Sequence, residues 1–370
     1  MKFGIFDHIE RRTDVDLAQQ FEERLQLMAQ ADEAGFYSYH VAQHHHSPLC
    51  IAPNQSVFLA AAAQRTKRLR FGPLVYVLPL HHPIRLIEEI CMVDQLSDGR
   101  LDIGVGPGTG GGTELAMWGE NPDDNVERFE ETLDIMRRGL QTDFLTYHGK
   151  FMDVSDLWME LRPRQLPHPP LWWAGNAEAA AKRGANFIAN GSIEQIGRVT
   201  KLFLEAWERA KTEDTPEIMR PAAPLYGGTR RIFIADTDEE ARERAISAYH
   251  SYLSHFAKPI PPGREGGAAA AFNEAVRTSE WFQKQQAGEV PRPADPNRVA
   301  TMRITPEQAI EGEALVCGSP ATVRKYVERY CADAGANYFV GSFQWGDLTH
   351  AEASKSMRYF SETVMPGLVG

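Results

Sequence analysis

The segment LRFGPLVYVLPLHHPIRLIEEICMVDQLSDGRLDIGV, residues 69–105, contains two apolar runs that are separated by an amphipathic stretch. The first run, Leu69 to Leu78, is rich in branched residues and predicts a strand. Pro83 then begins a predicted helix whose apolar positions 84, 87, 91 and 96 share one face. The second run, Leu101 to Val105, predicts another strand. A strand, a helix and a strand in this order favour a parallel βαβ unit.

The same alternation extends from this segment towards both ends of the chain. Eight apolar runs predict strands, at residues 2–6, 37–42, 69–78, 101–105, 171–174, 187–189, 231–235 and 338–343. Helical periodicity follows each run, near residues 17–28, 54–63, 83–96, 125–139, 177–183, 194–209, 238–255 and 350–365. Eight strands that are each followed by a helix predict an α/β chain folded as a (β/α)8 TIM barrel. An open, doubly wound sheet shows the same alternation and is the alternative.

Two segments break this alternation, after strands 4 and 7, and we interpret them as insertions in a single domain that spans residues 1–370. The first leads into an irregular piece, rich in tryptophan and proline, from Phe144 to Pro170. The second, residues 259–305, contains several prolines and glycines and a run of four alanines. Long insertions of this kind are usually functional loops or disordered segments, so 259–305 is either a lid or a loose surface loop.

The composition excludes some classes of partner. With 39 basic and 50 acidic residues the formal net charge is −11, which disfavours nucleic acid and anionic membrane as partners. The four cysteines are far apart and form no CxxC motif, as is typical of buried free thiols in a reducing compartment. No apolar run reaches the length of a membrane span, and the first residues turn polar too early for a signal peptide. We therefore expect a cytoplasmic protein.

In a parallel barrel the active site lies at the carboxyl ends of the strands, and three of the strand ends that this rule selects carry candidate sites. The first is the run Gln43-His44-His45-His46, where side-chain alternation sends His44 and His45 to opposite faces. An imidazole here could be catalytic, part of a polar loop, or a metal ligand together with His40, His81 and His82. The chain has no HExxH motif, which disfavours the metal.

The other two sites are rich in glycine. The run from Gly106 to Gly111 matches GxGxxG but follows the fourth strand and contains Pro107. We therefore interpret it as a bare backbone that a ring or phosphate can approach closely, and not as a dinucleotide site. We therefore include Gly106 and Gly108 among the cofactor-binding residues. Gly175 and Asn176 lie between a predicted strand and a helix, where free N–H groups could bind phosphate or Asn176 could simply cap the helix.

Several of these segments also form a family pattern. They are Met1 to Gly4, Ala34-Gly35-Phe36, Gln43-His44-His45, Val77 to Arg85, Leu86 to Gly99, Ala174 to Gly184 and Gly318 to Val323. With them the chain resembles the bacterial luciferase-like family of flavin monooxygenases. The resemblance implies the (β/α)8 fold with FMN in the mouth of the barrel.

The resemblance also assigns roles to individual residues. His44 matches the functional histidine of the family. Leu74 and Val75 match the end of strand 3, where the family often has a cis peptide bond beneath the flavin. Gly175, Asn176 and Ala177 match the phosphate-binding junction, while Glu114 and Trp118-Gly119 are similar to an acid and an aromatic-glycine pair after strand 4. Two positions depart from the pattern, because Gln43 replaces a glutamate and Pro107 replaces an arginine that helps to hold phosphate in the luciferase subunit.

The implied reaction is a two-component monooxygenation. A separate NAD(P)H:flavin reductase supplies FMNH2, and O2 is the co-substrate that gives a flavin C4a-hydroperoxide. One oxygen atom is inserted into a small organic substrate such as an aldehyde or ketone, with His44 assisting proton transfer. The resemblance further implies a homodimer formed through helices such as the one that carries Asp94 to Leu96. An F420-dependent oxidoreductase on the same barrel and a non-catalytic flavin-binding protein are the alternatives.

Overall fold

The structure is a computed structural model that describes residues 1–108, 115, 117–211, 220, 221, 223–256 and 304–369. Its strands are β1 (Lys2–Asp7), β2 (Ser38–Val41), β3 (Arg70–Pro73), β4 (Tyr76–Val77), β5 (Ile103–Gly106), β6 (Phe144–His148), β7 (Asp153–Trp158), β8 (Leu171–Ala174), β9 (Asn186–Ala189), β10 (Tyr226–Ile234), β11 (Leu315–Gly318) and β12 (Tyr338–Ser342). Its α-helices are α1 (Leu17–Glu33), α2 (Gln55–Arg65), α3 (Pro83–Leu96), α4 (Asn125–Gln141), α5 (Ala177–Lys182), α6 (Ile193–Ala210), α7 (Asp238–Ser254), α8 (Pro306–Glu311), α9 (Pro320–Asp333) and α10 (His350–Tyr359).

The main sheet is parallel and closes on itself. Its strands follow the order β3, β2, β1, β12, β10, β9, β8, β5 and β4, with β11 added beside β10. The ring closes where β4 pairs with β5 and where Phe71 forms an isolated parallel bridge with Leu101. The predicted (β/α)8 barrel is therefore confirmed, and the open sheet is excluded. No described helix is long and apolar enough to cross a membrane.

Local sequence signals explain why most elements begin where they were predicted. Asn54 caps α2 by accepting a hydrogen bond from the amide of Val57, and Pro83 is the first residue of α3. Ser192 and Gln195 form a capping box at the start of α6. The predicted strand 171–174 coincides with β8, and the predicted helix 83–96 coincides with α3.

The structure differs from the sequence prediction in four places. The predicted strand 69–78 is divided into β3 and β4 at Leu74 and Val75, and β10 begins at Tyr226, five residues before the predicted start. The segment 144–170 is not wholly irregular, because β6 and β7 pair as an antiparallel hairpin. The sequence analysis also missed β11 and α9, although it noted the motif Gly318 to Val323 between them. The proposed lid, 259–305, lies outside the described residues except for its last two.

Side chains fill the inside of the barrel in layers. The lower layer contains Ser38, Arg70 and Asp102, which are joined by hydrogen bonds. The middle layer contains the rings of His40, Trp172 and Tyr338, packed against one another and against Leu74, Ile188 and Val340. Because successive residues of a strand point to opposite faces, the next inward positions lie above this layer and form the rim of the barrel.

Candidate active site

The rim of the barrel is open above the middle layer. On β8, Trp172 is only 1% exposed, whereas Ala174, two residues further along the same face, is exposed. Asn190 follows β9 and is exposed too, and Thr229 on β10 is half-buried. As far as the described residues show, the barrel is thus filled up to an apolar and aromatic surface, and the residues above this surface are exposed or half-buried. That arrangement suits a flat ring, which needs an apolar surface on one face.

The predicted catalytic residue, His44, lies at this rim beside a histidine that the sequence analysis did not select. Its ring stacks on the ring of His8, with centroids 5.6 Å apart and an angle of 25° between the planes. His8 follows β1 and His44 follows β2, and these two strands are neighbours. His45 has a different environment, because its Nε2 lies 2.7 Å from Nε2 of Gln43 and its ring contacts Trp118. The two histidines therefore face different neighbours, as alternation predicts.

The glutamine that replaces the family's glutamate supports β4. Its Oε1 accepts hydrogen bonds from the amide of Val77 at 2.7 Å and from Nε2 of His81 at 3.1 Å. A backbone N–H only donates, so this contact fixes the orientation of the Gln43 amide group. The Nε2 of Gln43 must then donate to His45. Gln43 thus holds the segment after the cis peptide in place and does not contact His44 through any of these bonds.

The peptide bond between Leu74 and Val75 is cis, as the resemblance implies. Both side chains pack against the middle layer, and the Nε2 of Gln55 donates to the carbonyl of Val75 at 3.2 Å. Leu74 and Val75 therefore lie at the level where the filled interior meets the open rim. This is the position at which a ring above the middle layer would rest.

Gly106, the last residue of β5, and Gly108, two residues later, have a packing role. A Cβ atom on Gly106 would lie 2.9 Å from Cγ2 of Val75, and one on Gly108 would lie 2.7 Å from Cγ1 of Val77. Side chains at these positions would collide with the segment that contains the cis bond. The described contacts show a close approach of the segment that contains Val75 and Val77, while the approach of a ligand to Gly106 and Gly108 stays a prediction. The remainder of the glycine-rich run, and Glu114, lie outside the described residues.

The junction after β8 contains both predicted features. Gly175 has φ +94°, and a Cβ atom on it would meet no atom within 4 Å, so the space beside it is open. Asn176 caps α5, since its Oδ1 accepts a hydrogen bond from the amide of Ala179 at 2.9 Å. The backbone N–H of Ala177 lies in the first turn of this helix. The structure thus realises the capping alternative, while the phosphate-binding role of Gly175, Asn176 and Ala177 stays a prediction.

A cluster of polar groups around His8 was missed by the sequence analysis. Glu10 is 1% exposed, and its Oε2 accepts hydrogen bonds from Nδ1 of His255 at 2.8 Å and from the amide of Gly346 at 2.6 Å. Burial, together with His44, Arg231 and His255 nearby, holds the pKa of His8 well below its ordinary value. These groups come from four separate parts of the chain, so no local motif signals them.

Two of the histidines that were weighed as metal ligands, His40 and His81, are bonded to other side chains. His40 bonds to the hydroxyl of Tyr338 in the middle layer at 2.9 Å, and burial lowers the pKa of His40 to about 3. His81 bonds to Gln43, and burial lowers the pKa of His81 to about 4. Among the described residues, no group of three or more histidine, cysteine, aspartate or glutamate side chains could hold a metal ion.

Sequence comparison identifies a family and individual relatives to which this chain is similar. A family profile described as luciferase-like monooxygenase matches residues 1–338. The protein y4wF of Sinorhizobium fredii is 33% identical over 359 residues, which cover 94% of this chain and 92% of that protein. The oxygenase component of a flavin-dependent trigonelline monooxygenase from Acinetobacter baylyi is 28% identical over 293 residues, which cover 76% of this chain and 79% of the relative.

Solved structures share the fold. The oxygenating constituent of 3,6-diketocamphane monooxygenase from Pseudomonas putida, a type II Baeyer-Villiger monooxygenase in complex with FMN, has a TM-score of 0.74 at 20% identity and matches 99% of this chain and 98% of its own. The coenzyme F420-dependent tetrahydromethanopterin reductase of Methanopyrus kandleri has a TM-score of 0.65 at 17% identity, covering 99% of this chain and 98% of its own. At such identities both similarities establish the fold alone.

Proposed function

This chain belongs to the luciferase-like monooxygenase family, and we propose that it is the oxygenase component of a two-component system that uses reduced FMN and molecular oxygen. The observation that carries this proposal is the open rim above a filled middle layer, with His44 at its edge. Exposed Ala174 and Asn190 leave room there, and the cis segment of Leu74 and Val75 forms part of the apolar surface below. These residues fit a flat ring that is contacted on one face.

Each residue then has a definite task. Leu74 and Val75 support the ring from below, and Gly106 and Gly108 allow that segment to lie close to β5. Gly175, Asn176 and Ala177 bind the phosphate through the first turn of α5 and the open space beside Gly175. When it is bound in its reduced form, FMN supplies the electrons that activate oxygen. His44 exchanges a proton with the reacting group, and its ring is oriented by stacking on His8.

The partners follow from this assignment. A separate NAD(P)H:flavin reductase supplies the reduced flavin, and the substrate is a small organic molecule such as an aldehyde or ketone. We also propose a homodimer, since α3 exposes Met92 and Leu96 beside the exposed Leu161, an apolar face that suits a second copy.

Labelled oxygen tests the proposal directly. The purified protein is supplied with FMNH2 by an added reductase under ¹⁸O2, and products from a panel of aldehydes and ketones are analysed by mass spectrometry. We expect one ¹⁸O atom in the product. Replacing His44 with Ala should lower the oxygenated product per reduced flavin by ten-fold or more and release hydrogen peroxide instead. His148→Ala, at an exposed histidine far along the chain, is the control and should leave the coupling unchanged.

The same experiment separates the F420 alternative. Reduced F420 offered without oxygen should give no hydride transfer to the same substrates if FMN is the cofactor. Product formation with F420 but no ¹⁸O incorporation with FMNH2 would overturn the proposal. If FMN binds but no substrate of any class consumes its electrons, the protein is a flavin-binding protein without catalysis.

A further inference from the structure

Arg231 points into the barrel at the level of the rim. It pairs with Ser342 across β10 and β12, on the face that also carries Val340 two residues below and Tyr338 four residues below. The next residue, Ile232, packs on the opposite face among the residues that contact the helices. Because alternate residues face opposite sides of a strand, the guanidinium of Arg231 lies on the inner side, above the middle layer.

The guanidinium of Arg231 is held by aromatic rings and not by acceptors. It stacks over the ring of Tyr252 at 3.6 Å and lies 5.9 Å from the ring of Tyr249. Its Nε is buried without a hydrogen-bond partner, and the structure gives it no carboxylate among the described residues. A desolvated donor without an acceptor is costly, which makes such a group unusual unless something else satisfies it.

Among the described residues, no carboxylate forms an ion pair with Arg231. His8, His44 and His255 are imidazoles, and Arg231 is close enough to His8 to lower its pKa. The carboxylate of Glu10 already accepts two hydrogen bonds through Oε2, while its Oε1 lies 4.0 Å from Nδ1 of His8. The described part of this side of the rim therefore contains a cation, three imidazoles and one carboxylate, of which Oε2 is bonded to His255 and Gly346 and Oε1 has no hydrogen-bond partner.

We propose that Arg231 binds an anionic oxygen group, a carboxylate or a phosphate, of a molecule that occupies the rim. A guanidinium offers two parallel N–H groups that match such an anion, and the ring of Tyr252 holds it flat for this contact. The anion can come from the substrate or from the phosphate of the cofactor. The inference rests on the proposed function for the identity of these molecules, although the anion site can be tested without any turnover.

The first test uses two small probes that differ in charge. Binding of trifluoroacetate, and of the neutral trifluoroethanol as its control, is followed by ¹⁹F NMR line broadening on the full chain. We expect the wild type to bind trifluoroacetate at least ten-fold more tightly than trifluoroethanol. Arg231→Gln should abolish this preference, and Arg231→Lys should keep part of it, because charge remains but the paired N–H geometry is lost. Arg85→Gln removes an arginine whose side chain is 79% exposed, outside the rim, and should change nothing.

The second test distinguishes the two sources of the anion. The dissociation constants of FMN and riboflavin, which differ only in the phosphate, are measured for the wild type and Arg231→Gln. A loss of FMN affinity with unchanged riboflavin affinity assigns Arg231 to the cofactor phosphate. Unchanged affinity for both, together with lost trifluoroacetate binding, assigns it to the substrate. Trifluoroacetate binding that is equal in wild type and Arg231→Gln, with both chains folded by circular dichroism, would overturn the proposal.

These readouts keep the two proposals separate. If ¹⁸O incorporation fails for every substrate while Arg231→Gln still loses trifluoroacetate binding, the anion site stands and the monooxygenase assignment fails. If oxygenation is observed but trifluoroacetate binds equally to the wild type and Arg231→Gln, the monooxygenase assignment stands and the anion site fails.

Discussion

Arg70 and Arg231 both point into the barrel, but their contacts in the lower layer and at the rim differ. In the lower layer, Nε and Nη2 of Arg70 donate to Oδ1 of Asp102, and its other donors bind the carbonyls of Gly99 and Leu101. At the rim, Arg231 meets aromatic rings, and its Nε is without an acceptor. The same residue type on the same face thus pairs with a carboxylate at one end and has no carboxylate partner among the described residues at the other.

Apolar packing shows the same contrast on one strand. Trp172 is buried in the middle layer, and Ala174, on the same face of β8, is exposed. Groups that are packed and paired stabilise the fold, whereas exposed small residues contribute little to stability and buried donors without an acceptor reduce it. A residue's contribution to stability therefore indicates whether it belongs to the lower or middle layer or to the rim, and matched substitutions can measure the difference.

The largest expected effect is at Arg70. Arg70→Leu leaves Asp102, which is 1% exposed, as a buried carboxylate without its cation, so we expect the free energy of unfolding to fall by about 3–5 kcal/mol. Arg231→Leu removes a cation that has no anionic partner among the described residues, and should change stability by less than about 1 kcal/mol. Urea unfolding followed by circular dichroism measures both.

A double variant provides the control for Arg70. Removing both partners, as in Arg70→Leu with Asp102→Leu, should be less destabilising than Arg70→Leu alone, because no uncompensated charge remains. Equal losses for Arg70→Leu and Arg231→Leu would contradict the distinction between the lower layer and the rim.

The free energy of unfolding is also expected to depend on pH through His40 in the middle layer. Burial lowers its pKa to about 3, so the unfolded chain takes up a proton below about pH 6.5 that the folded chain does not bind. Stability is then fully present above about pH 6.5 and falls with decreasing pH by roughly 1.4 kcal/mol per unit, or roughly 3 kcal/mol by pH 4.

His40→Gln removes this contribution. The glutamine amide does not titrate and can still bond to the hydroxyl of Tyr338, so its unfolding free energy should fall less steeply between pH 6.5 and 4 than that of the wild type. The measurement is urea unfolding at half-unit intervals of pH. A variant slope equal to that of the wild type would mean that His40 is protonated in the fold.

Much of the fold could be predicted from the sequence, because the decisive patterns are local. The capping residue Asn54, Pro83 at the start of α3 and the apolar run of β8 act within a few residues of themselves. β11 was missed because Leu315–Gly318 is short and becomes a strand only by pairing with the upper half of β10. The hairpin of β6 and β7 was missed because proline and tryptophan nearby obscure its alternation.

The candidate site was predicted in part for the same reason. His44 and Asn176 follow strands, so the rule for parallel barrels selects the strand ends on which they lie. Leu74 was assigned by the family resemblance alone, because the third strand was predicted to end at Leu78. Glu10 follows β1 as His44 follows β2 and could have been selected by the same rule, whereas His255, which ends a helix, and Arg231, which lies in the middle of β10, carry no such signal. Their proximity depends on α7 reaching the end of β1, which only the tertiary structure reveals.

A smaller effect is expected at Gly106, where the middle layer meets the rim. A methyl group there would lie 2.9 Å from a side-chain carbon of Val75, so Gly106→Ala should cost about 1–3 kcal/mol as Val75 is displaced. Gly197→Ala, within α6 and at least 3.4 Å from its neighbours, is the control and should be neutral or stabilising. If Gly106→Ala is equally harmless in urea unfolding, the contact with the cis segment is not tight.

The smallest effect on stability, and the most informative for function, is expected at Ala174. Because its side chain is exposed at the rim, Ala174→Leu should alter the free energy of unfolding by no more than about 0.5 kcal/mol. The added atoms nevertheless occupy the space proposed for the flavin ring, so FMN should bind at least ten-fold more weakly, a loss of about 1.4 kcal/mol in binding free energy. Fluorescence titration of FMN measures this loss. Unchanged affinity in a stable Ala174→Leu variant would place the ring elsewhere, and Arg231 would then have no cofactor beside it.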